Sequence, residues 1–472
     1  MLDSFGLALA DLDVTPTVRA AAWTPASLSS LVAWFDPSYG VYANSAAKFV
    51  AASSQQLSRQ NTLGTNYNTD WSVSFWVNPT NVSGFKGLFL RNTAVVNLRM
   101  YMTGDTFTTD GFVAFNTVPF AGFFAAGTWT QVTVTYQGTG DKKMRLYRNG
   151  SLHTTSSAYA GTVVDDDAAR YFYLGSLGGS SYLDGSMDSF GFWTRELSAG
   201  DVSGIYNNGS GKTYVDLTTA EKVSLVSWYD FATTASLATD AHGSNTLTNT
   251  NSVTCDAGIV AGQAVADDPI YQWNARAGSS AAVLTQATLA NRFVLNVGAN
   301  GKYYWTANGT STYMAAGNTS DCTLTGDFTI AVLANCTNAS SDRYLVSKQK
   351  TSANYDGYGF GRIGGKLVVD VSDGTYTSKA GATTVNGSQG WLAQITKRAS
   401  ATATVYFDNT SDGSGAVQGG STAFAVALNI GRFAGGGQHW DGHGSHIVIL
   451  SDDISDSDRT LLKAYFDAQE PT

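Results

Sequence analysis

A chain of 472 residues, 43% of them hydrophobic and 50 of them glycine, is long enough for two or three domains built from short strands and turns. Its formal net charge is −9, from 28 Lys and Arg against 37 Asp and Glu, which disfavours nucleic acid as a partner. Three cysteines make no disulfide framework, and no run of about 18 apolar residues predicts a membrane span.

The first 22 residues are predicted to form an arm ahead of any domain. They lack a basic stretch before an apolar core, so no signal peptide is expected. FGLALADLDV at 5–14 alternates and predicts a strand. Two roles are open for this strand: it joins the sheet edge of a partner, or it completes the chain's own first domain.

Alternating apolar and polar residues predict strands along the rest of the chain. The clearest patterns are WSVSFWVNP at 71–79, WTQVTVTYQ at 129–137, MRLYRNG at 144–150, FTIAVLAN at 328–335 and GKLVVDVSDG at 365–374. Asn149 and Gly150 form a dipeptide that favours a two-residue type I′ turn, so a hairpin is expected there. Because helical periodicity is scarce, the pattern indicates an all-β protein.

One pattern occurs twice in the chain. YLDGSMDSFGFWTRELSAGDVSGIY at 182–206 aligns without a gap on the stretch that starts with HWDGHGSHIVILSDDISDSDR at 439. Asp184 then meets Asp441, at an offset of 257 residues (441 − 184). The same offset relates DWSVSFWV at 70–77 to DFTIAVLA further on. We infer that one domain has been duplicated.

Each copy also ends in the same way. Ser198 and Ser455 both precede a short run with an acidic residue three positions on, a pattern typical of a capped helix. The duplicated unit is therefore predicted to end in strand, turn and short helix.

A family resemblance follows from these motifs. The first copy contains a Y-x-N-G hairpin, then LDG, and then D-x-F-x-x-W-x-R-x-L-S-x-x-D before Y-N-N-G. This combination resembles the laminin G-like, concanavalin A-like jelly roll, over about 46–211 and, more loosely, from about 303 to the end. The resemblance implies an all-β fold class: two tandem concanavalin A-like (laminin G-like) jelly-roll β-sandwiches with a short capped helix after the last strand of each.

The predicted domain organisation has four parts. They are an arm for attachment or an edge strand at 1–22, a first laminin G-like sandwich at 23–217, a linker with laminin G-like opening strands at 218–268, and a second sandwich at 269–472. LVAWFDP at 31–37 recurs as LVSWYDF at 225–231. The second stretch either supplies outer strands to a neighbouring sandwich, which we favour, or forms a structured linker.

Catalytic motifs of this fold have few counterparts in the chain. Glycoside hydrolases of the fold use paired carboxylates on one strand, but Glu196, Glu221 and Glu470 fall in a capping region, the linker and the tail. Alginate-lyase-like relatives use a Gln-x-His strand, and here Thr133 follows Gln131 in the histidine position. We predict no catalytic residue and no enzyme; the alternative is a polysaccharide-active hydrolase or lyase.

Two clusters contain residue types that bind metals. Asp165, Asp166 and Asp167 offer hard oxygens near a rim where the resemblance implies calcium, and a solvated acidic turn is the competing interpretation. The second cluster has ligands suited to a transition metal: His439, Asp441, His443 and His446. Because Tyr182, Ser186 and Ser189, which align with the three histidines, are not ligands, a polar loop or a partner contact is favoured. No cofactor is expected, and calcium is left open.

Aromatic rings in loops are the usual means by which a lectin-like sandwich stacks against a sugar. Four rings fall in predicted loops and are the glycan-binding candidates: Tyr182, Trp440, Tyr355 and Tyr358. Partial burial under a loop is the competing interpretation for each of them.

The resemblance implies a location as well as a fold. Lectin-like domains normally meet glycans outside the cell, whereas no export signal is predicted here. Phage virion proteins meet both conditions, because they are made in the host cytoplasm and released on lysis. Duplicated units joined by NNGSGKTYVDLTTAEKVSLVSWYDF at 207–231 resemble those of tailed-phage structural proteins.

The predicted function is therefore that of a phage virion surface protein of the capsid decoration, head fibre or tail fibre type. Its expected partners are other virion proteins of the capsid or tail and host surface glycans. It would form a homo-oligomer or a symmetric array. A secreted carbohydrate-binding adhesin is the other alternative.

Overall fold

The computed structural model describes residues 23–60, 69–92, 97–111, 121–159, 171–233, 236–264, 266–337, 342–351 and 354–472. Within these ranges, the first half contains β1 (Leu31–Phe35), β2 (Val41–Phe49), β3 (Gln56–Gln60), β4 (Trp71–Pro79), β5 (Phe85–Asn92), β6 (Asn97–Thr103), β7 (Thr106–Gly111), β8 (Thr130–Tyr136), β9 (Met144–Arg148), β10 (Ser151–Thr155), β11 (Tyr171–Leu174), β12 (Gly185–Trp193), α1 (Ala199–Tyr206), β13 (Leu225–Tyr229), β14 (Thr248–Thr250) and β15 (Thr254–Gln263).

The second half continues with β16 (Gln272–Asn274), β17 (Val283–Thr285), β18 (Val294–Val297), β19 (Tyr303–Asn308), β20 (Met314–Ala316), β21 (Phe328–Cys336), β22 (Arg343–Gln349), β23 (Gly357–Ile363), β24 (Lys366–Ser372), β25 (Tyr376–Thr384), β26 (Leu392–Ala399), β27 (Thr402–Phe407), β28 (Thr410–Ala416), β29 (Asn429–Ile430), β30 (Asp441–Leu450) and α2 (Asp456–Gln469). No helix in the described part of the chain is both long and apolar enough to cross a membrane.

The first sandwich packs two antiparallel sheets against each other. One sheet has the order β10-β9-β8-β4-β12-β2, and the other has the order β14-β3-β11-β5-β6-β7. Alternate residues of the facing strands point inward and form an aromatic core that includes Phe75, Phe89, Phe172 and Phe190. Removal of these large rings from water is a main source of stability for the sandwich.

The second sandwich has the same plan. One sheet runs β18-β19-β30-β21-β26-β27-β28, and the facing sheet runs β16-β17-β20-β29-β22-β23-β24-β25. Its core contains Trp273, Trp305, Phe360 and Ile449, all fully buried. The two units are thus separate in their cores.

The sequence repeat is preserved in the structure. β4 and β21 have equivalent bounds (71 + 257 = 328 and 79 + 257 = 336), and α1 and α2 begin at equivalent residues (199 + 257 = 456). The hydroxyls of Ser198 and Ser455 accept the backbone N–H three residues on, as predicted for helix caps. The predicted all-β fold with two concanavalin A-like sandwiches is confirmed.

The equivalent hairpin turns of the two copies both use the left-handed backbone conformation, but with different residues. Asn149 and Gly150 connect β9 to β10, and both have positive φ, as predicted. Asp408 and Asn409 make the equivalent turn between β27 and β28, also with positive φ, although neither is glycine. Asn and Asp tolerate this left-handed conformation better than other side chains, so the turn survives the change.

Strand β2 joins the two sandwiches in one continuous sheet. Its residues Ala47 and Phe49 pair with β12 and contribute to the first core. Its opposite end, at Val41, pairs with β16 and contributes to the second core. One nine-residue strand therefore belongs to both units.

The two similar segments, LVAWFDP at 31–37 and LVSWYDF at 225–231, are exchanged between the sandwiches. β13, from LVSWYDF, pairs with β12 of the first sandwich, and β14 and β15 pair with β3 and β2. β1, from LVAWFDP, pairs with β30 of the second sandwich. The predicted first sandwich begins at residue 23 and so includes β1, whereas in the structure β1 belongs to the second sandwich. The physical reason is that β13 already occupies the equivalent position beside β12.

Candidate functional site

A cavity of about 520 Å³ opens on the outer face of the second sandwich, beside β20, β22 and β29. Val346 and Ile430 pair across these strands and point into the core. Because side chains alternate along a strand, the next pair, Ser347 and Asn429, lies on the opposite face. The alternation thus gives this face polar groups rather than the aliphatic ones of the core.

Gln349 is held in the cavity wall in a defined orientation. The backbone N–H of Ala434 donates to the Ser347 hydroxyl (3.3 Å), and that hydroxyl donates to Gln349 Oε1 (3.3 Å). Gly359 makes room for this amide, because a Cβ there would lie 2.5 Å from Gln349 Oε1. The Gln349 Nε2 group is buried and has no hydrogen-bond partner among the described residues. The amide nitrogen of Gln349 is therefore a buried donor whose hydrogen-bonding capacity the described residues do not use.

Arg432 is the second polar group of the cavity. Its guanidinium carbon lies 3.2 Å from the ring centroid of Tyr313, and its Nε donates to Asn429 Oδ1 at 2.9 Å. Burial lowers the pKa of Arg432, although the group stays charged because an arginine side chain titrates far above neutrality. Stacking on the tyrosine and a hydrogen bond with its side chain fix the orientation of the cation.

Lys350 provides a second cation at the edge of the cavity. Its ammonium group lies 4.1 Å from the Phe424 ring centroid and 3.1 Å from Asp356 Oδ2. The charge of Lys350 is therefore partly balanced, whereas no carboxylate among the described residues forms an ion pair with Arg432.

Lys348 holds two walls of the cavity together from behind. Its buried ammonium group donates to the carbonyls of Thr319 (2.5 Å) and Val426 (2.6 Å), two residues that line the cavity. Burial lowers the pKa of Lys348. The two loops are thus tied to β22 by one side chain.

Aromatic side chains lie beside the cavity. Tyr355, 41% exposed, contacts Tyr376 and Phe433 edge-on, with centroid distances of 5.8 and 5.6 Å. Phe433 is next in the chain to Ala434, which lines the cavity. Tyr376 and Tyr344 both donate hydroxyl hydrogen bonds to the buried carboxyl group of Asp370. Burial raises the pKa of Asp370, and these hydrogen bonds only partly oppose the rise.

The four predicted glycan-binding residues have different surroundings. Tyr355 belongs to the aromatic group beside the cavity, and Tyr182 is half-buried in the first sandwich, away from it. The expected exposure of Trp440 and Tyr358 is wrong, because both are fully buried in the second core. Tyr358 lies in β23, where alternation turns it inward and its hydroxyl donates to the Cys322 carbonyl. The glycines around it indicated a loop, but the segment is a strand.

The predicted histidine cluster does not converge on one point. His439 binds the carbonyl of Thr312, and His443 lies 3.0 Å from the Thr306 hydroxyl. Asp441 accepts a hydrogen bond from Thr337, and His446 lies between Asp36 and Tyr465. Each group therefore has its own structural partner, because Asp441, His443 and His446 are spread along the extended strand β30 and His439 lies just before it.

Acidic residues give no clearer metal site. Asp165, Asp166 and Asp167 lie outside the described residues. Within the described residues, the carboxylates of Asp327, Asp452 and Asp453 lie within 4.8 Å of one another. Lys397 lies 3.6 Å from Asp453 in this group, so part of its negative charge is already balanced.

Sequence reasoning missed Gln349, Arg432 and Asn429. The only local signal was alternation in YLVSKQ, which shows that Ser347 and Gln349 share a face but not that this face is lined by loops from 425–427 and 432–434. The convergence depends on strand pairing across 80 residues, which a single sequence does not reveal.

Comparisons with known proteins agree with this fold. The family model of the concanavalin A-like lectin/glucanases superfamily matches residues 49–203, which form the body of the first sandwich. No curated protein matches the chain. Residues 49–203 therefore form a laminin G-like, concanavalin A-like domain.

Solved structures with similarity to the chain are distant from it. A protein from Bacteroides ovatus described as carbohydrate binding is 17% identical with a TM-score of 0.34; the match covers 46% of this chain and 60% of that one, less than two thirds of its length. Domains LG4-5 of the mouse laminin alpha1 chain are 10% identical with a TM-score of 0.28, over 95% of this chain and 96% of that one. The heptameric SAP-like pentraxin from Limulus polyphemus is 16% identical with a TM-score of 0.32, over 46% and 95%.

Proposed function

We propose that this protein is a non-enzymatic glycan-binding protein of the surface of a phage virion, and that the cavity beside β22 is its binding site. The observation that carries the proposal is the fixed donor set of Gln349 and Arg432, together with the exposed ring of Tyr355, which packs against Phe433 beside the cavity. Amide and guanidinium groups can bind sugar hydroxyls, and an aromatic face can stack on a pyranose ring.

The size of the cavity suits an oligosaccharide. Its volume of about 520 Å³ lies within the range of roughly 300–1,000 Å³ that is usual for small-molecule sites. The walls combine hydroxyls of Thr319 and Thr351 with the small apolar side chains of Ala315 and Ala427. Such a mixture matches the alternating polar and apolar surfaces of a sugar.

Binding without turnover is supported by the roles of the glutamates. Glu196 forms an ion pair with Arg145 at 2.7 Å, and Glu221 forms one with Lys212 at 2.8 Å. Both lie in the first sandwich and stabilise its helix region. The charged residues that line the cavity are the cations Lys350 and Arg432.

The place of action on a virion is supported by the resemblance of the linking segment to tailed-phage structural proteins. The net charge of −9 suits an outer surface better than contact with packaged DNA. On this proposal, partners are other capsid or tail proteins, the chain assembles with copies of itself, and host glycans are the ligands. The proposal does not require calcium, and calcium binding by the first sandwich stays an open prediction.

Glycan-array binding tests the proposed site. Wild-type protein should bind a subset of glycans, Gln349→Ala and Tyr355→Ala should each weaken this binding by roughly tenfold, and Tyr182→Ala should leave it unchanged as the matched tyrosine control. Thermal unfolding of each variant would establish that it is folded. Binding that is insensitive to both cavity variants would refute the site.

Two further measurements address the rest of the proposal. Release of new reducing ends or unsaturated products from the bound glycans would contradict a non-enzymatic role. Mass spectrometry of purified virions should detect the protein, and its absence from them would overturn the virion assignment.

A further inference from the structure

We infer that the ligand of the cavity beside β22 is an anionic glycan, one whose sugars carry carboxylate or sulfate groups. This inference rests on the proposed function and narrows it to a class of ligand. It is derived from the balance of hydrogen-bond donors and acceptors and from the charge of the cavity.

Gln349 lines the cavity with a buried amide group. The residue is only 1% exposed, its Oε1 is occupied by the Ser347 hydroxyl, and its Nε2 has no partner among the described residues. A buried donor without a partner is costly, so a ligand acceptor placed against it would recover that cost. The best complement of the Gln349 amide nitrogen is therefore a ligand oxygen that accepts a hydrogen bond.

Arg432 supplies a positive charge to the cavity wall. Its Nε donates to Asn429, and its face is covered by Tyr313, with which it also forms a side-chain hydrogen bond; a guanidinium group has five N–H donors, so these contacts do not use all of them. Among the described residues its charge is not balanced by an ion pair, in a protein whose net charge is −9. A planar guanidinium fork binds a carboxylate through two parallel hydrogen bonds, which makes such a group the best complement.

Asn429 and Lys350 are further polar residues of the cavity wall. Both amide atoms of Asn429 are engaged within the protein, because Oδ1 accepts from Arg432 and Nδ2 donates to the Ala427 carbonyl. Lys350 adds a further donor, although it shares its charge with Asp356. The side chains thus offer donors and positive charge, so an acceptor-rich, negatively charged sugar complements them better than a neutral one.

The test compares one polymer in charged and neutral forms. Polygalacturonate and its carboxyl-reduced form are titrated against the full chain by calorimetry, with dextran sulfate and dextran as the second pair. Wild-type protein should bind at least one charged polymer roughly tenfold or more tighter than its neutral partner, and the affinity should fall with added salt. The two pairs distinguish carboxylate from sulfate recognition.

Variants connect this preference to one side chain. Arg432→Gln should abolish the preference, and Arg432→Lys should retain part of it because it keeps the charge without the fork. Arg459→Gln is the matched control, because Arg459 is also stacked on a tyrosine, at 4.0 Å from the Tyr406 ring centroid in the same sandwich. Unchanged thermal unfolding would show that each variant is folded.

The outcomes separate this inference from the proposed function. Equal affinity for charged and neutral polymers, with loss of binding in Gln349→Ala, would overturn the anionic ligand and leave glycan binding intact. Equal weakening by Arg432→Gln and Arg459→Gln would also overturn it, since attraction would then be non-specific. Failure to bind any polymer or any glycan on the array would overturn both.

Discussion

Asp188 is a carboxylic acid buried completely within the first sandwich, on β12. Its Oδ2 accepts the backbone N–H groups of Ile259 and Val260, each at 3.0 Å, and so connects β12 to the irregular middle of β15. Burial raises its pKa to about 7 even though these hydrogen bonds favour the ionised form. The cost of removing the charge from water therefore exceeds what two N–H groups return.

A pH-dependent stability follows from Asp188. The folded pKa lies above the value of about 3.9 for an unfolded chain, so the stabilising contribution is complete below pH 4 and is lost as the pH rises through 7. Asp188→Asn keeps an acceptor without the charge, so it should be more stable than wild type at pH 8, by on the order of 2–4 kcal/mol, and similar at pH 4. Urea unfolding at the two pH values measures this difference.

Asp256 on β15 provides the opposite control. Burial opposes its ionisation, but the hydrogen bond and charge of Lys48, 2.6 Å away, hold its pKa below the ordinary value. Asp256→Asn should therefore destabilise the protein at pH 8, with the effect fading as the pH falls below 4. A gain in stability from Asp188→Asn that does not change with pH would contradict the assignment.

The exchange of β1 and β13 is the main feature at the scale of elements. Trp34 of β1 packs with Leu462 and Phe466 of α2, whereas Trp228 of β13 packs with Val202 and Ile205 of α1. Each tryptophan therefore packs on the helix at the end of one sandwich. The earlier tryptophan, Trp34, packs on the later helix, α2, and the later one, Trp228, packs on the earlier helix, α1.

Amide hydrogen exchange can test which sandwich β1 and β13 each belong to. Trp34→Ala should lower the free energy of unfolding by about 3–5 kcal/mol and speed amide exchange through local opening in β30 more than in β12. Trp228→Ala should do the reverse. Faster exchange in β12 on mutation of Trp34 would mean that β1 belongs to the first sandwich.

At the scale of the whole molecule, the two units share structure rather than a flexible linker. β1 lies in the second sandwich, β2 runs through both, and residues 225–263 return to the first. The chain therefore crosses between the units twice, along β2 and after β15, and neither unit can be removed by one cut without loss of a strand.

This arrangement predicts a single cooperative unfolding transition. Phe49→Ala in the first core and Ile430→Ala in the second should each lower the temperature of that one transition, because β2 couples the two cores. Differential scanning calorimetry would give a calorimetric enthalpy close to the van't Hoff value. Two resolved transitions, each sensitive to only one of the variants, would show that the sandwiches unfold independently.

The sequence by itself determined the local structure of this protein. Strands such as β4 and β21, the turn at Asn149 and Gly150, and the caps at Ser198 and Ser455 follow from alternation, backbone preferences and short-range hydrogen bonds. The internal repeat also indicated two copies of one sandwich. These features depend on residues close together in the chain.

Only the tertiary structure decided which strand completes which sandwich and where the candidate site lies. β1 pairs with a strand more than 400 residues away, and the contact of Arg432 with Tyr313 spans more than 100. The burial of Trp440 and Tyr358 depended on the same long-range pairing. Alternation tells which residues share a face of a strand, but the neighbour that covers that face is chosen by packing of the whole chain.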